Sequence, residues 1–221
     1  MSRPAFETAR LGDLDRLDGE LVTIPLRIPL GISAFGVNAY AARESGGRVI
    51  EEHDELGSGA GGHEELYVVL SGRARFTVAG EEVDARTGTL VFVRDPSARR
   101  GATAVDPKTT IMVVGGTPGK AFEPSPWESW LEARPFYDAK EYEAAAELMT
   151  RALEKHPDNA NVLYNLACCE ALAGRRSDAL AHLARAAELD QRVPEWAASD
   201  SDLDSIRDDE AFPAHGSLGT Q

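Results

Sequence analysis

His63 and Glu65 stand two residues apart in GSGAGGHEELYVVLSG (residues 57–72), where a glycine-loose loop runs into a strand-like apolar run. On a strand, residues i and i+2 share a face, so a Glu65 that points into a core carries His63 and Tyr67 with it. A second histidine, His53, ends VIEEH just before the loop, with Glu51 and Glu55 on the same strand face. A loop that folds His53 back towards His63 assembles a two-His, one-carboxylate set: His53, His63 and Glu65. Such a set suits Fe(II), Mn(II), Zn(II) or Ni(II) and leaves coordination positions open for a small-molecule ligand. His53 and His63 are the only histidines before residue 156, so one copy of this region cannot supply three imidazoles.

Other chemistry is poorly represented. There is no P-loop, GxSxG or CxxC pattern. The glycines of GSGAGG lead into a strand rather than a helix and no lysine follows, so they read as a flexible rim and not a phosphate cradle. Cys168 and Cys169 are adjacent, cannot frame disulfides, and fall where a helix needs small core residues. The net charge is -14, and from residue 126 onwards 19 Asp and Glu face 9 Lys and Arg. Nucleic-acid binding needs basic surface, so that class is excluded; a solvated acidic face is the expectation, with a surface for basic partners as the alternative. No apolar run approaches the ~20 residues of a membrane span. The polar start MSRPAFETARLGDLDRLDGEL lacks a secretory h-region, so a cytoplasmic location is expected.

The elements that must position these residues follow two periods. Up to about residue 120 the period is two, with turn residues between short runs. LVTIPLRI, VNAYAARES, GRVIEEH, ELYVVL, ARFTVAGEEVDA, TLVFV and TTIMVVGG read as strands, with Ala79-Gly80 at a hairpin turn. Many short, evenly spaced strands point to an antiparallel sandwich or barrel. Past the Pro/Gly-rich GGTPGKAFEPSPWESW, apolar residues recur at helical spacing in residues 137–159 and 161–190, with Asp158-Asn159 to break the first helix and cap the next and Gly174 at a turn.

A shift of 34 residues places Ala145 on Ala179, Met149 on Leu183, Ala152 on Ala186 and Glu154 on Glu188. That is the tetratricopeptide period, and residues 161–190 resemble that repeat at Leu163, Leu166, Ala167, Gly174, Ala179, Leu183 and Ala186. Pro157 matches the proline that closes the preceding repeat, whereas Gln191 departs from the pattern and Pro135 interrupts the expected first helix. One and a half to two repeats are too few to bury a continuous core. Docking on the β region or closure by the tail is therefore expected, with Trp196, Leu203, Ile206 and Phe212 as a final amphipathic cap.

The β half resembles the cupins, small double-sheet jelly rolls, over roughly residues 25–118. Glu65 and Gly72 have the spacing of that family's first motif, and Gly88 in TGTLVFVRDPSARRGA matches the start of its second. The paired histidines of the first motif fall on Gly59 and Gly61, and the histidine of the second falls on Arg99. By alignment only the glutamate of the usual metal site remains. This leaves three readings open: a rescued metal site on His53, His63 and Glu65; a metal-free pocket in which Arg99 pairs with Glu65 or a ligand anion, with Tyr67 alongside; or rim hydrogen bonds and surface arginines.

The expected architecture is multi-domain, β plus α: a polar segment (1–24), a cupin barrel (25–118), a linker (119–134), a tetratricopeptide-like helical array (135–213) and a disordered tail (214–221). The resemblance implies a homodimer and a barrel that binds a small molecule, with a divalent metal and with catalysis left open. The alternatives are a metal-free sensing module using Arg99 and Glu65, and a scaffold whose helices bind a protein partner.

Overall fold

A computed structural model describes residues 5, 6, 8–19, 21–57 and 59–213. The tail expected to be disordered lies outside the described residues. The chain divides into two compact units, Met1–Glu123 and Pro124–Gln221.

The first unit carries strands β1 (Val22–Pro25), β2 (Gly36–Ala41), β3 (Arg48–His53), β4 (Glu64–Ser71), β5 (Arg73–Val78), β6 (Glu81–Arg86), β7 (Leu90–Val93), β8 (Arg100–Ala104) and β9 (Thr110–Gly116), with one helical turn, α1 (Arg27–Leu30). They form two antiparallel sheets, β1-β2-β9-β4-β7 and β3-β8-β5-β6. The seven runs expected as strands all contain strands. β8 was not among them: its sequence RGATA offers one β-branched residue and a glycine, so pairing with β3 and β5 holds it extended rather than its own propensity. The described strands form two sheets with no ladder joining them, so the antiparallel sandwich is established and a closed barrel is not.

One core joins the sheets. Alternation on β4 sends Tyr67 and Val69 inwards beside Ile111, Val113 and Val93, and the other sheet answers with Val49, Ala74, Phe76, Ala102 and Ala104. The outer face of β1 and β2 has a second core, where Ile24, Val37 and Ala39 are covered by Leu11, Leu14 and Ile32. The β5–β6 turn uses positive φ at both Ala79 (+50°) and Gly80 (+84°), the geometry that matches strand twist in a two-residue hairpin.

The second unit is helical: α2 (Glu128–Asp138), α3 (Tyr142–Lys155), α4 (Ala160–Leu172), α5 (Arg176–Leu189) and α6 (Val193–Ser199). Pro135 does not interrupt α2, which runs through it. The 34-residue repeat is realised between α3 and α5: Ala145, Met149 and Ala152 are buried, as are Ala179, Leu183 and Ala186. Asn159 caps α4 by accepting a hydrogen bond from the Val162 amide at 3.0 Å. Leu203 and Ile206 are fully buried against α4 and α5, with Trp196 and Phe212 at the edge, so the tail closes the apolar face of the last hairpin.

Among the described residues no helix is long and apolar enough to cross a membrane.

Candidate functional site

The last inward-facing row at one end of the sandwich is polar. On one sheet Gly36, Gly115, Glu65 and Val93 lie side by side on β2, β9, β4 and β7. On the other, His53, Arg100 and Val78 lie side by side on β3, β8 and β5. Glu65 of one sheet therefore meets His53 and Arg100 of the other.

Arg100 is the anchor, and it is 1% exposed. Its Nε donates to Glu65 Oε2 at 3.0 Å and to the Tyr67 hydroxyl at 3.3 Å, and its Nη2 donates to Glu65 Oε2 at 2.7 Å. Nη1 donates to the Pro96 and Ala98 carbonyls at 3.1 and 3.0 Å. Only one of the five guanidinium N–H groups is left over. The Tyr67 hydroxyl also donates to Glu65 Oε2, so that oxygen is crowded with donors. The expectation for Arg99 is corrected here. Its side chain is 59% exposed and pairs with Glu52 outside the sandwich. Side chains alternate along a strand, so a one-residue difference in register moves the charge from one face to the other.

Glu55, which flanked the expected set, is buried and central. Its Oε2 accepts from the Gly61 and His63 amides at 3.0 and 3.3 Å, and its carbonyl accepts from the Gly62 amide at 3.0 Å. The residue thereby holds the Gly61–His63 backbone in place and brings the His63 ring to 3.8 Å from its own carboxylate. His53 donates from Nδ1 to the Glu51 carbonyl at 2.8 Å, which turns Nε2 towards Glu65 (3.6 Å) and Glu55 (3.8 Å). The structure thus brings His53 and Glu65 together with Tyr67 beside Glu65, and brings His63 in only through Glu55. Among the described residues, His53, Glu55 and Glu65 form one potential donor set, with ligand atoms within 4.8 Å of one another. The signal for Glu55 was present in the sequence as a carboxylate between the two histidines, but only the loop conformation turns it inwards.

Burial pulls the pKa of His53 down, but the Glu65 carboxylate and the Glu51 carbonyl more than offset this, and the net shift is above 6.5. Burial likewise opposes ionisation of Glu65, yet His53, Tyr67 and Arg100 hold its pKa below 4.5. Burial and the neighbouring Glu65 carboxylate drive Tyr67 far above the usual phenol range, so it stays a donor. The linkage signs are opposite. Raised His53 contributes stability that is complete below its unfolded value of 6.5 and is lost as pH rises through the higher folded one. Lowered Glu65 contributes stability that is present above 4.5 and lost as pH falls through its lower folded value. Urea midpoints should therefore decline from mildly acidic pH into the window above 6.5, and His53→Gln should flatten that decline. The His182–Glu170 pair of the second unit (2.7 Å), in which only the glutamate is buried, also raises a histidine pKa, so the variant is what isolates the His53 contribution. An unchanged slope in His53→Gln would remove His53 from the account.

A second cluster, Cys168, Asp200 and Asp202, also has donor atoms within 4.8 Å of one another. Here the carboxylates accept from tyrosine hydroxyls, Tyr164 to Asp200 at 2.7 Å and Tyr137 to Asp202 at 2.9 Å. Burial first, then Asp200 and Asp202, push the Cys168 thiol far up, so it is protonated in this environment and poorly nucleophilic. Burial also pushes Cys169 up to about 12, in keeping with a core role.

Together these features define a β-sandwich with an ionic polar end followed by a helical-repeat unit. Residues 136–199 match the tetratricopeptide repeat family. The β-rich N-terminal region is similar in fold to several solved structures. A cupin protein from Bacteroides fragilis shares 18% identity, with 56% of this chain and 93% of that one covered at a TM-score of 0.42. A predicted oxalate decarboxylase from Thermotoga maritima shares 17% identity, with coverages of 49% and 97% and a TM-score of 0.40. An RmlC-like cupin from Shewanella frigidimarina shares 16%, with coverages of 53% and 95% and a TM-score of 0.40. No curated protein matches the chain.

Proposed function

We propose that the first unit is a cupin-type jelly roll that binds a small molecule at its polar end, with Arg100 supplying the positive charge that a metal would otherwise bring. The observation that carries this reading is the ion pair itself. A buried guanidinium already holds Glu65 Oε2 through two N–H groups, so a cation sharing that oxygen would meet both the donors and the like charge. With both carboxylates ionised, Glu55, Glu65 and Arg100 sum to one negative charge, and a proton on His53 balances it. Four of the five N–H groups of the arginine are held by its partners, and it acts as a fixed support. A ligand would meet His53 and His63 at the rim.

A metal-bound reading is favoured by one observation. His53 has its Nδ1 committed to a backbone carbonyl and its Nε2 aimed at two carboxylates, the orientation of a metal-ligating histidine. A divalent ion held by His53, Glu55 and Glu65 would supply Lewis acidity there. Elemental analysis of untagged protein after supplementation with Fe, Mn, Zn and Ni separates the two. The metal-free reading expects less than about a tenth of an equivalent, and the metal-bound reading near-stoichiometric loading that His53→Ala abolishes.

The edge strand β7 presents exposed Leu90 and Phe92, which supports pairing of two copies. The repeat match supports protein contacts by the helical unit.

A further inference from the structure

The polar end of the sandwich leaves two inward positions bare. Gly36 and Gly115 face each other on β2 and β9, in the same row as Glu65. A β-carbon on Gly36 would stand 3.1 Å from Cε2 and 3.2 Å from Cζ of Phe122. A β-carbon on Gly115 would stand 3.3 Å from Glu65 Cγ and 3.5 Å from the His63 β-carbon. The Phe122 ring therefore lies on bare backbone, in space that a side chain at position 36 would contest.

Its other neighbours are polar and planar. The His63 ring is 5.5 Å away and tilted by 36°, and the Arg27 guanidinium carbon lies 5.9 Å from the ring centre. Arg27 is itself 9% exposed, so its cation–π contact is made with little competing water. Phe122 is only half-buried and does not belong to the apolar core between the sheets. It hangs on the segment that follows β9, which turns at Gly119 (φ +71°) and ties back to the His63 loop through the Thr117 hydroxyl, donating to the Gly61 carbonyl at 3.1 Å. Beside this strap is an open depression of about 340 Å³, walled by Phe35, Leu66, Phe92, Val114 and Phe122 itself. A ring that left the glycine floor would have apolar surface next to it.

We infer that the Gly36 floor, His63 and Arg27 form a subsite for a planar aromatic ring of a small-molecule ligand, which Phe122 fills when no ligand is bound. The inference rests on the proposal that the polar end binds a small molecule, and adds the chemical class of the group it takes. Self-occupancy lowers the apparent affinity in proportion to the fraction of open protein, so removing the ring should strengthen binding.

The test uses benzoate, with cyclohexanecarboxylate as a probe of like charge and size but no planar π face, and acetate as the bare anion. Saturation-transfer NMR and calorimetry on the full chain measure binding. Wild-type protein should bind benzoate at millimolar concentration with transfer from His63. Phe122→Ala should bind it about tenfold tighter and prefer it to cyclohexanecarboxylate by about tenfold. Gly36→Val in the Phe122→Ala background should abolish the preference. If Phe122→Ala fails to fold by circular dichroism, Phe122→Leu serves, with a smaller gain expected. Absence of benzoate binding by the Phe122 variant, or equal binding of the two ring acids by it, overturns the subsite. The failures are distinguishable. If acetate binds in a His53-dependent way while benzoate gains nothing, the subsite falls and the polar-end reading stands; if no probe binds any form, both fall.

Discussion

Arg100→Met should destabilise the β-sandwich by about 3–5 kcal/mol, because it leaves the Glu65 carboxylate buried without its cation. The expected readout is a large drop in urea midpoint with the slope of the transition preserved. Arg99→Met, one residue away, should change stability by no more than about 0.5 kcal/mol, since its pair with Glu52 is solvent-exposed. The contrast between neighbouring arginines tests the strand register directly. Pairing Arg100→Met with Glu65→Gln should recover part of the loss, since no unpaired charge then remains. Equal effects of the two arginine substitutions would contradict the inward placement of Arg100.

Gly72→Ala should cost about 2–4 kcal/mol, which combines backbone strain with overpacking. Gly72 has φ +75°, and a β-carbon there would lie 2.9 Å from the Thr109 α-carbon and closer still to its hydroxyl. Thr109 cannot easily yield. It is fully buried, its hydroxyl donates to the carbonyls of Asp106 (2.7 Å) and Arg73 (3.0 Å), and it accepts from the Arg73 amide at 3.2 Å. Gly88→Ala makes the control: φ is also positive (+86°), but nothing lies within 4 Å of the added carbon. Its cost should be limited to the backbone strain of about 1–2 kcal/mol. Thermal unfolding of the two variants side by side separates strain from clash.

The helical unit was legible in the sequence because its signals are local. The 34-residue spacing of Ala145, Met149 and Ala152 with Ala179, Leu183 and Ala186 follows from helices that repeat every 3.6 residues and pack on a hairpin partner, and all six side chains are buried. Pro135 misleads because proline is a breaker on average, whereas a single proline costs a helix one hydrogen bond, which surrounding contacts can offset. In the β half the same locality serves β4, whose alternation places Glu65 and Tyr67 on the inner face, and the Ala79-Gly80 hairpin, whose residues alone suffice for the turn.

What the amino-acid order by itself determined is most of the strands and helices, where they turn, and that His63, Glu65 and Tyr67 could share an interior face with His53 brought to it by a loop. Only the tertiary structure decided which arginine enters it. RGATA has little strand propensity of its own, and its register is set by pairing with β3 and β5, which come from distant parts of the chain. That pairing turns Arg100 inwards and Arg99 out. Loop closure likewise made Glu55 the link between the two histidines, and the fold back of the strap laid Phe122 on Gly36. Each of these is a long-range contact, and a one-residue slip in any of them would change the charge at the polar end while leaving the local sequence pattern untouched.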